Sequence, residues 1–241
     1  MRKNSIGSWL YCGVFMALGV GCAQNLLSQA PVAELRLRIS SPHLGGHRAV
    51  PAVVWLEPAR GTPTLSFLPH GRYTLLQKNR AFIPHLQIIP VGSVVQFPNA
   101  DPFFHNVFSL FDGKRFDLGL YEAGSSKSVT FSREGVSYIF CNIHPEMSAV
   151  VLALSTPLYA VADANDSFVL RNVPSGDYNM HLWIEGVPQS LLDGLNRLVH
   201  LPQRTVDLGT IRVPTMSDGI IGHTNEFGRP YDRDSRSPYE R

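Results

Sequence analysis

Cysteine is scarce in this chain, and its placement excludes an internal disulfide framework. Of the three cysteines, Cys12 and Cys22 lie in an N-terminal segment that we predict to be removed, which leaves Cys141 alone. A lone thiol in an oxidising compartment is a liability unless it is buried, paired between chains or bound to a metal. The ordinary alternative is a buried core cysteine that behaves as a small hydrophobic residue.

Long apolar runs are also lacking, except for one near the start. Arg2 and Lys3 precede an apolar stretch at 9–20 that ends in small residues. This pattern is typical of a secretory signal peptide, here residues 1–23, and the stretch is shorter than the roughly 20 apolar residues of a membrane span. We expect a periplasmic or secreted protein of bacterial export type, without a transmembrane helix in the mature chain. A lipid anchor at Cys22 is a less favoured alternative, because the residues before it make a poor lipobox.

An excess of charge of one sign is missing as well. Removing the leader takes away Arg2 and Lys3, so that Lys+Arg falls from 21 to 19 and equals the 19 Asp+Glu. A balanced chain without a clustered basic patch argues against nucleic-acid binding. We also find no Ser-His-Asp pattern, no phosphate-binding loop and no pair of acids in a recognisable catalytic setting.

Four residues do carry a recognisable chemistry. Cys141, His144 and Met147 fall within one short segment, and His105 precedes them. One thiolate, two imidazoles and one thioether make the trigonal His2Cys set with a weak axial Met that blue-copper electron-transfer centres use. Alone, His105 would more often be a core histidine, but beside this segment we predict that it is a ligand. If the four side chains meet, the chain binds one copper ion and moves electrons one at a time.

The predicted local structure would bring these four side chains together. Residues 136–140 are typical of a strand that delivers Cys141 at its end, followed by a tight loop that carries the other two ligands. Pro145 fixes its own backbone and favours an extended His144, which restricts the loop before any metal binds. Asn106 is a candidate for a hydrogen bond to the backbone around Cys141, which would tie the two ligand segments together. A plain turn residue is the alternative for Asn106.

The remaining sequence favours β structure, since short β-branched and aromatic runs alternate with many of the 20 Gly and 18 Pro. We predict an all-β fold, with one β-sandwich domain at 31–155, a smaller one at 156–213 and a disordered tail at 214–241. One short helix is expected within 191–199. Strands are predicted at 34–39, 52–56, 86–89, 93–97, 128–131, 136–140, 150–154, 159–162, 167–170, 177–183 and 205–213.

Several segments carry a family resemblance. They are Gln77-Lys78-Asn79, Phe82-Ile83-Pro84-His85, Phe97-Pro98-Asn99, His105-Asn106-Val107-Phe108-Ser109, Phe116-Asp117-Leu118-Gly119 and Cys141-Asn142-Ile143-His144-Pro145. They resemble the bacterial secreted plastocyanin- and amicyanin-like cupredoxins that are often labelled methylamine utilisation proteins. The resemblance implies a Greek-key β-sandwich with copper at one end and His105, Cys141, His144 and Met147 as ligands. It also implies electron entry through His144, within an apolar patch that includes Ile143, Pro145 and Phe103 or Phe104.

The second half of the chain has a resemblance of its own. Residues 159–163, Asp177-Tyr178 and Trp183 are similar to the carboxypeptidase regulatory-like sandwich, a transthyretin-like module without peptidase chemistry. The usual Asp-Gly turn is here Asn165-Asp166, and Asp tolerates a left-handed backbone better than most residues. A generic β-sandwich is the alternative.

Two functions remain open on the sequence. The first is a periplasmic type 1 copper protein that carries single electrons between protein redox partners. The second is a secreted copper-binding, scaffold or interaction module, in which copper is structural or trafficked and the second sandwich contacts a partner. An enzyme is less favoured than either, because four protein ligands leave no open position for a substrate. For His85 we predict a structural, hydrogen-bonded role.

Overall fold

The computed structural model describes residues 32–40, 50–69, 71–110 and 113–214. Over these ranges it contains one short helix, α1 at Gln189–Asp193, and seventeen strands. The strands are β1 Val32–Ser40, β2 Ala52–Pro58, β3 Tyr73–Thr74, β4 Leu76–Gln77, β5 Phe82–Ile83, β6 Leu86–Pro90, β7 Ser93–Pro98, β8 His105–Ser109, β9 Phe116–Tyr121, β10 Ser126–Phe131, β11 Gly135–Phe140, β12 Ser148–Leu154, β13 Tyr159–Val161, β14 Ser167–Pro174, β15 Gly176–Ile184, β16 Arg197–Leu201 and β17 Thr205–Arg212.

One β-sandwich, here called the inner sandwich, is built from β3 to β12. A three-stranded sheet in the order β10-β7-β3 faces a five-stranded sheet in the order β6-β12-β11-β8-β9, and β4 pairs with β5. Alternate residues of these strands point into one core, as the two-residue period of a strand requires. The largest buried members of that core include Phe97, Phe131, Ile89, Ile139 and Leu75.

The other β-sandwich, here called the outer sandwich, combines strands from both ends of the described chain. β1 lies between β14 and β17, pairing antiparallel with the first and parallel with the second. The facing sheet has the order β13-β2-β15-β16. The apolar residues of β1 alternate into the core of this sandwich, which also contains Tyr178, Phe168, Leu56 and Leu182.

This pairing corrects the predicted domain boundaries. The sequence analysis placed β1 and β2 in the domain at 31–155, whereas the structure pairs both strands with strands that follow residue 158. The reason is physical: β1 pairs with β14 and β17, β2 pairs with β13 and β15, and the two sheets bury their apolar faces against each other. Strand pairs so distant in sequence leave no local signal. The inner sandwich is therefore an insertion between β2 and β13.

The two sandwiches meet through a third apolar cluster. Val53 and Trp183 of the outer sandwich pack with Val150, Leu152 and Leu154 of the inner one. The Trp183 Nε1–H donates to the Tyr138 hydroxyl at 3.1 Å. His85 strengthens the same boundary, since its Nε2 lies 2.6 Å from Glu185 Oε1 and its Nδ1 lies 3.1 Å from the Ser148 carbonyl oxygen. This agrees with the hydrogen-bonded role predicted for His85.

Removing the Trp183 indole is expected to destabilise the whole described body. Trp183→Ala should lower the free energy of unfolding by about 3–5 kcal/mol, because it empties a fully buried site between two sheets. Chemical denaturation of the full chain measures the change. Tyr138→Phe, which removes only the hydroxyl partner of the indole, should cost about 1–3 kcal/mol. A loss below about 1 kcal/mol for Trp183→Ala would show that this interface contributes little to stability.

The predicted fold class, all-β, is confirmed. The turn at Asn165-Asp166 forms with a left-handed Asp166, whose φ is 56°.

The prediction of a helix within 191–199 is partly wrong. The helix α1 is shorter and begins earlier, and Arg197–Leu201 is a strand that pairs with β15. No helix in the described ranges is long and apolar enough to cross a membrane. The predicted signal peptide, Cys22 and residues 215–241 of the predicted tail lie outside those ranges.

Candidate metal centre

Two neighbouring strands deliver the predicted ligands to one end of the inner sandwich. β8 begins at His105, while β11 ends at Phe140, directly before Cys141. The two strands are joined by the pairing of Phe108 with Phe140. Because the two strands are antiparallel, the start of β8 lies beside the end of β11. His105 and Cys141 are therefore at the same end of the sheet.

The loop between β11 and β12 carries the other predicted ligands, and backbone hydrogen bonds close it. The Met147 amide donates to the His144 carbonyl at 3.0 Å, and the Cys141 amide donates to the Met147 carbonyl at 3.3 Å. Pro145 is exposed at the tip, as a residue with no amide to donate can be. The loop is thus a compact turn held at both of its ends.

Three side chains converge in this turn. His105 Nδ1 lies 3.1 Å from His144 Nδ1, and Cys141 Sγ lies 3.8 Å from the first nitrogen and 3.6 Å from the second. His105 and Cys141 are fully buried, and His144 is 4% exposed. Met147 is also fully buried and belongs to the same core cluster as Cys141. Across the described part of the chain, no other three His, Cys, Asp or Glu side chains are close enough to share a metal ion.

The Cys141 sulfur lies among amide groups. The backbone amides of Asn106, Ile143 and His144 donate towards it, although burial has the larger effect and raises the pKa of the thiol. A buried thiol of this kind is unreactive without a cation beside it, whereas a bound metal ion would favour the thiolate. The amides then stabilise the negative charge on sulfur.

Asp101 orients His105, and the sequence analysis missed this residue. Its Oδ2 lies 2.9 Å from His105 Nε2, and its carboxylate also accepts the amides of Asn79 at 2.6 Å and Arg80 at 3.0 Å. Burial raises the pKa of Asp101, but the hydrogen bonds from Arg80, His105 and Asn79 outweigh burial and lower it. A carboxylate can only accept, so Nε2 carries the proton and Nδ1 presents its lone pair towards Cys141 and His144.

The protonation state of His105 also suits a ligand. Burial lowers the pKa of the ring, and the nearby His144 lowers it further, while Asp101 acts in the opposite direction. The net effect keeps the imidazole neutral at pH 7, which is the form that binds metals.

Phe103 covers both imidazoles. Its ring centroid lies 5.2 Å from that of His105 and 5.5 Å from that of His144, and the Arg80 guanidinium lies 5.5 Å from its centre. Phe104 next to it is 40% exposed. Of the residues expected to form an apolar surface around His144, Phe103 contacts its ring and Phe104 and Pro145 are exposed, while His144 itself is 4% exposed.

Asn106 occupies a different place from the one predicted for its side chain. The Nδ2 group donates to Asp117 Oδ1 at 2.8 Å, and the buried Oδ1 has no hydrogen-bond partner among the described residues. Its backbone amide, rather than its side chain, reaches Cys141. Asn106 still links the two ligand segments, but through the main chain.

The donor set fits a copper ion. With the bond lengths of a tetrahedral zinc site, about 2.0 Å to nitrogen and 2.3 Å to sulfur, ligands of one ion lie roughly 3.3 Å apart for two nitrogens and 3.5 Å for nitrogen and sulfur. The spacing thus tests whether one ion can be shared, and the chemistry of the donors selects the metal. The separations between His105, His144 and Cys141 match these values closely. Two imidazoles with a thiolate and a thioether are a mixed soft set that suits copper in both of its oxidation states.

No protein-family model and no curated protein sequence matches this chain. Among solved structures, this chain is similar to a purple cupredoxin from Nitrosopumilus maritimus, at 24% identity over 35% of this chain and 100% of that one, with a TM-score of 0.31. Amicyanin from Paracoccus versutus is 21% identical over 36% of this chain and 85% of its own length, with a TM-score of 0.32. A Cu-containing nitrite reductase from Thermus scotoductus is 24% identical over 48% of this chain and 28% of its own length, with a TM-score of 0.33. Because these identities and TM-scores are low, the proposals below rest on the residues of the site.

Proposed function

We propose that this chain is an exported type 1 copper protein, in which His105, Cys141, His144 and Met147 bind one copper ion and which carries single electrons between redox proteins. The observation that supports it most is the convergence of two Nδ1 atoms and one Sγ within 3.1–3.8 Å at a buried sheet edge. When bound, copper supplies a centre that cycles between Cu(I) and Cu(II).

The surrounding residues favour rapid electron exchange because they resist movement. Asp101 holds the His105 ring from one side, and the two backbone hydrogen bonds of the loop hold His144 and Met147 from the other. Phe103 excludes water from both imidazoles. When the ligands are fixed and water is excluded, little rearrangement is needed as the charge of the metal changes. An electron carrier requires such a site.

A protein redox partner would approach the end of the inner sandwich where the site lies. Phe104, which is adjacent to His105, and Leu120, which pairs with Asn106, are both substantially exposed apolar residues. Exposed apolar side chains beside a buried redox site permit a close and short-lived contact with a partner. Without the predicted leader the positive and negative charges are equal in number, which gives no reason to expect a nucleic-acid partner.

The wild-type chain, loaded with one equivalent of copper, is the direct test. We expect an intense visible charge-transfer band that disappears on reduction and returns on oxidation, with a potentiometric titration that follows a one-electron curve. Because the donor atoms of His105, Cys141 and His144 already lie within 3.1–3.8 Å of one another, loading should reach one copper per chain. A chain that remains colourless after loading would contradict the proposal.

The alternative, a secreted scaffold that holds or delivers copper, has the outer sandwich in its favour, since a minimal electron carrier does not need one. Copper held without reversible redox cycling would support this alternative. A thiol-dependent enzyme is a weaker interpretation, because Cys141 is fully buried and burial raises the pKa of its thiol. A nucleophilic cysteine needs access and a lowered pKa.

A further inference from the structure

A second candidate site lies between the two sandwiches, in a cleft of about 840 Å³. One wall comes from β11 and β12 of the inner sandwich, and the other from β2 and β15 of the outer one, with the segment that leads into α1 at its edge. This volume is within the range of pockets that enclose small organic molecules. None of the four proposed copper ligands lines it.

Aromatic rings supply much of the lining. Trp55 stacks on His181 with ring centroids 5.2 Å apart and an angle of 16° between the planes. Tyr138 and Phe140 contribute from the facing wall. Aromatic rings offer an apolar surface with a negative face, which attracts cations as well as apolar groups.

The charged groups of the cleft have one sign. Glu57, Glu134, Glu185 and Asp193 line it, and no Lys or Arg of the described ranges does so. Glu57 is fixed in place, since it accepts from Trp55 Nε1 at 3.2 Å and lies 3.3 Å from His181 Nε2. His181 is thus engaged by the wall, through the Trp55 ring and the Glu57 carboxylate.

Glu134 faces the same space from the inner sandwich. Burial raises the pKa of Glu134, and the neighbouring Glu57 raises it further. In contrast, the hydrogen bond from His181 lowers the pKa of Glu57. The Ser155 amide and His181 act in the opposite direction on the pKa of Glu134 without cancelling the rise. A further cation in the cleft would relieve the remaining repulsion between the two carboxylates.

We propose that this cleft binds a small organic cation, an ammonium group attached to an aromatic or branched apolar body. The ammonium group would lie near Glu134 and Glu57, and the apolar body would pack against Trp55, Tyr138 and Phe140. An anionic ligand would meet four carboxylates and no lysine or arginine. Histidines already lie beside Glu185 and Glu57, so Glu134 is the carboxylate from which a cation gains most and a neutral apolar ligand gains nothing. The proposal does not depend on copper binding.

The test compares two soluble probes of nearly equal size, 2-phenylethylammonium and the neutral 2-phenylethanol. Each is titrated into the ¹⁵N-labelled chain without added metal, while the indole N–H signals of Trp55 and Trp183 are followed by NMR. The chain has three tryptophans, so Trp9→Phe and Trp183→Phe, made separately, assign all three indole signals. We expect the Trp55 signal to shift, and the cation to bind about tenfold more tightly than the alcohol.

Glu134→Gln is the informative variant, and Glu122→Gln is its matched control, because Glu122 is exposed and does not line the cleft. Glu134→Gln should weaken the cation about fivefold and leave the alcohol unchanged. Glu122→Gln should change neither. Equal affinity for the two probes, equal behaviour of the two variants, or a Trp55 signal that neither probe moves would each overturn the proposal.

Discussion

Cys141→Ser is expected to abolish the visible charge-transfer band of the copper-loaded chain and to weaken copper binding by about 100-fold or more. The sulfur is the soft donor of the set, and it lies 3.6 and 3.8 Å from the two imidazole nitrogens that would share its ion. A serine hydroxyl in the same place stays protonated near pH 7 and cannot replace a thiolate. Visible absorption and a competitive copper titration measure the two effects.

The matched control for this change is Ala149→Ser, which buries a hydroxyl in the same core at a residue that is not a proposed ligand. It should keep the full band, with a loss of about 1–3 kcal/mol in stability. If Cys141→Ser retains the band, or if both variants lose it equally, the assignment of Cys141 as the sulfur ligand is wrong. Chemical denaturation of each variant confirms that the chain is folded.

Asp101→Asn is expected to lower the copper affinity about 10- to 100-fold, the usual cost of removing a carboxylate that orients a metal-bound histidine. Asp101 is 5% exposed and fixes the proton on His105 Nε2, so that Nδ1 faces the metal. An amide can donate as well as accept, so the ring orientation and tautomer are no longer imposed. Loss of a nearby negative charge also disfavours Cu(II), so the reduction potential should rise.

Asp117→Asn makes the same chemical change at a carboxylate that contacts Asn106 and the Gly119 amide instead of a ligand ring. Its copper affinity should stay within about threefold of the wild-type value. The two variants are compared by competitive copper titration and by potentiometry. Equal losses in both would show that Asp101 acts only through general electrostatics or stability, and not by orienting His105.

The ligand loop was the most predictable part of the molecule, because Cys141, His144 and Met147 are close in sequence and their chemistry narrows the choice of metal. His105 was predictable only beside them. Asp101 was not, since it lies in a segment that is typical of a turn, and nothing local shows that its carboxylate is buried against a ring four residues later. An acid four residues before a predicted histidine ligand is the sequence signal that could have indicated it.

The all-β class was also predictable, from alternating apolar residues and the many turn formers. The nesting of the sandwiches was not. β1 shows a clear two-residue alternation that identifies a strand, but the alternation does not name its partners, which lie more than a hundred residues further along the chain. In Arg197–Leu201 the pattern did not even identify the type of element. Its apolar residues were compatible with a helix, but the segment pairs with β15 and is a strand.

The inner sandwich leaves β2 of the outer sandwich and returns to it at β13, so the polypeptide joins the two bodies twice. A domain on a single flexible tether sweeps a large volume and can carry its cargo from donor to acceptor. Two attachments, together with the buried contacts around Trp183, oppose such movement of one sandwich relative to the other. In the proposed function, donor and acceptor would therefore each dock on the copper-bearing end of the whole molecule, and not on a swinging arm.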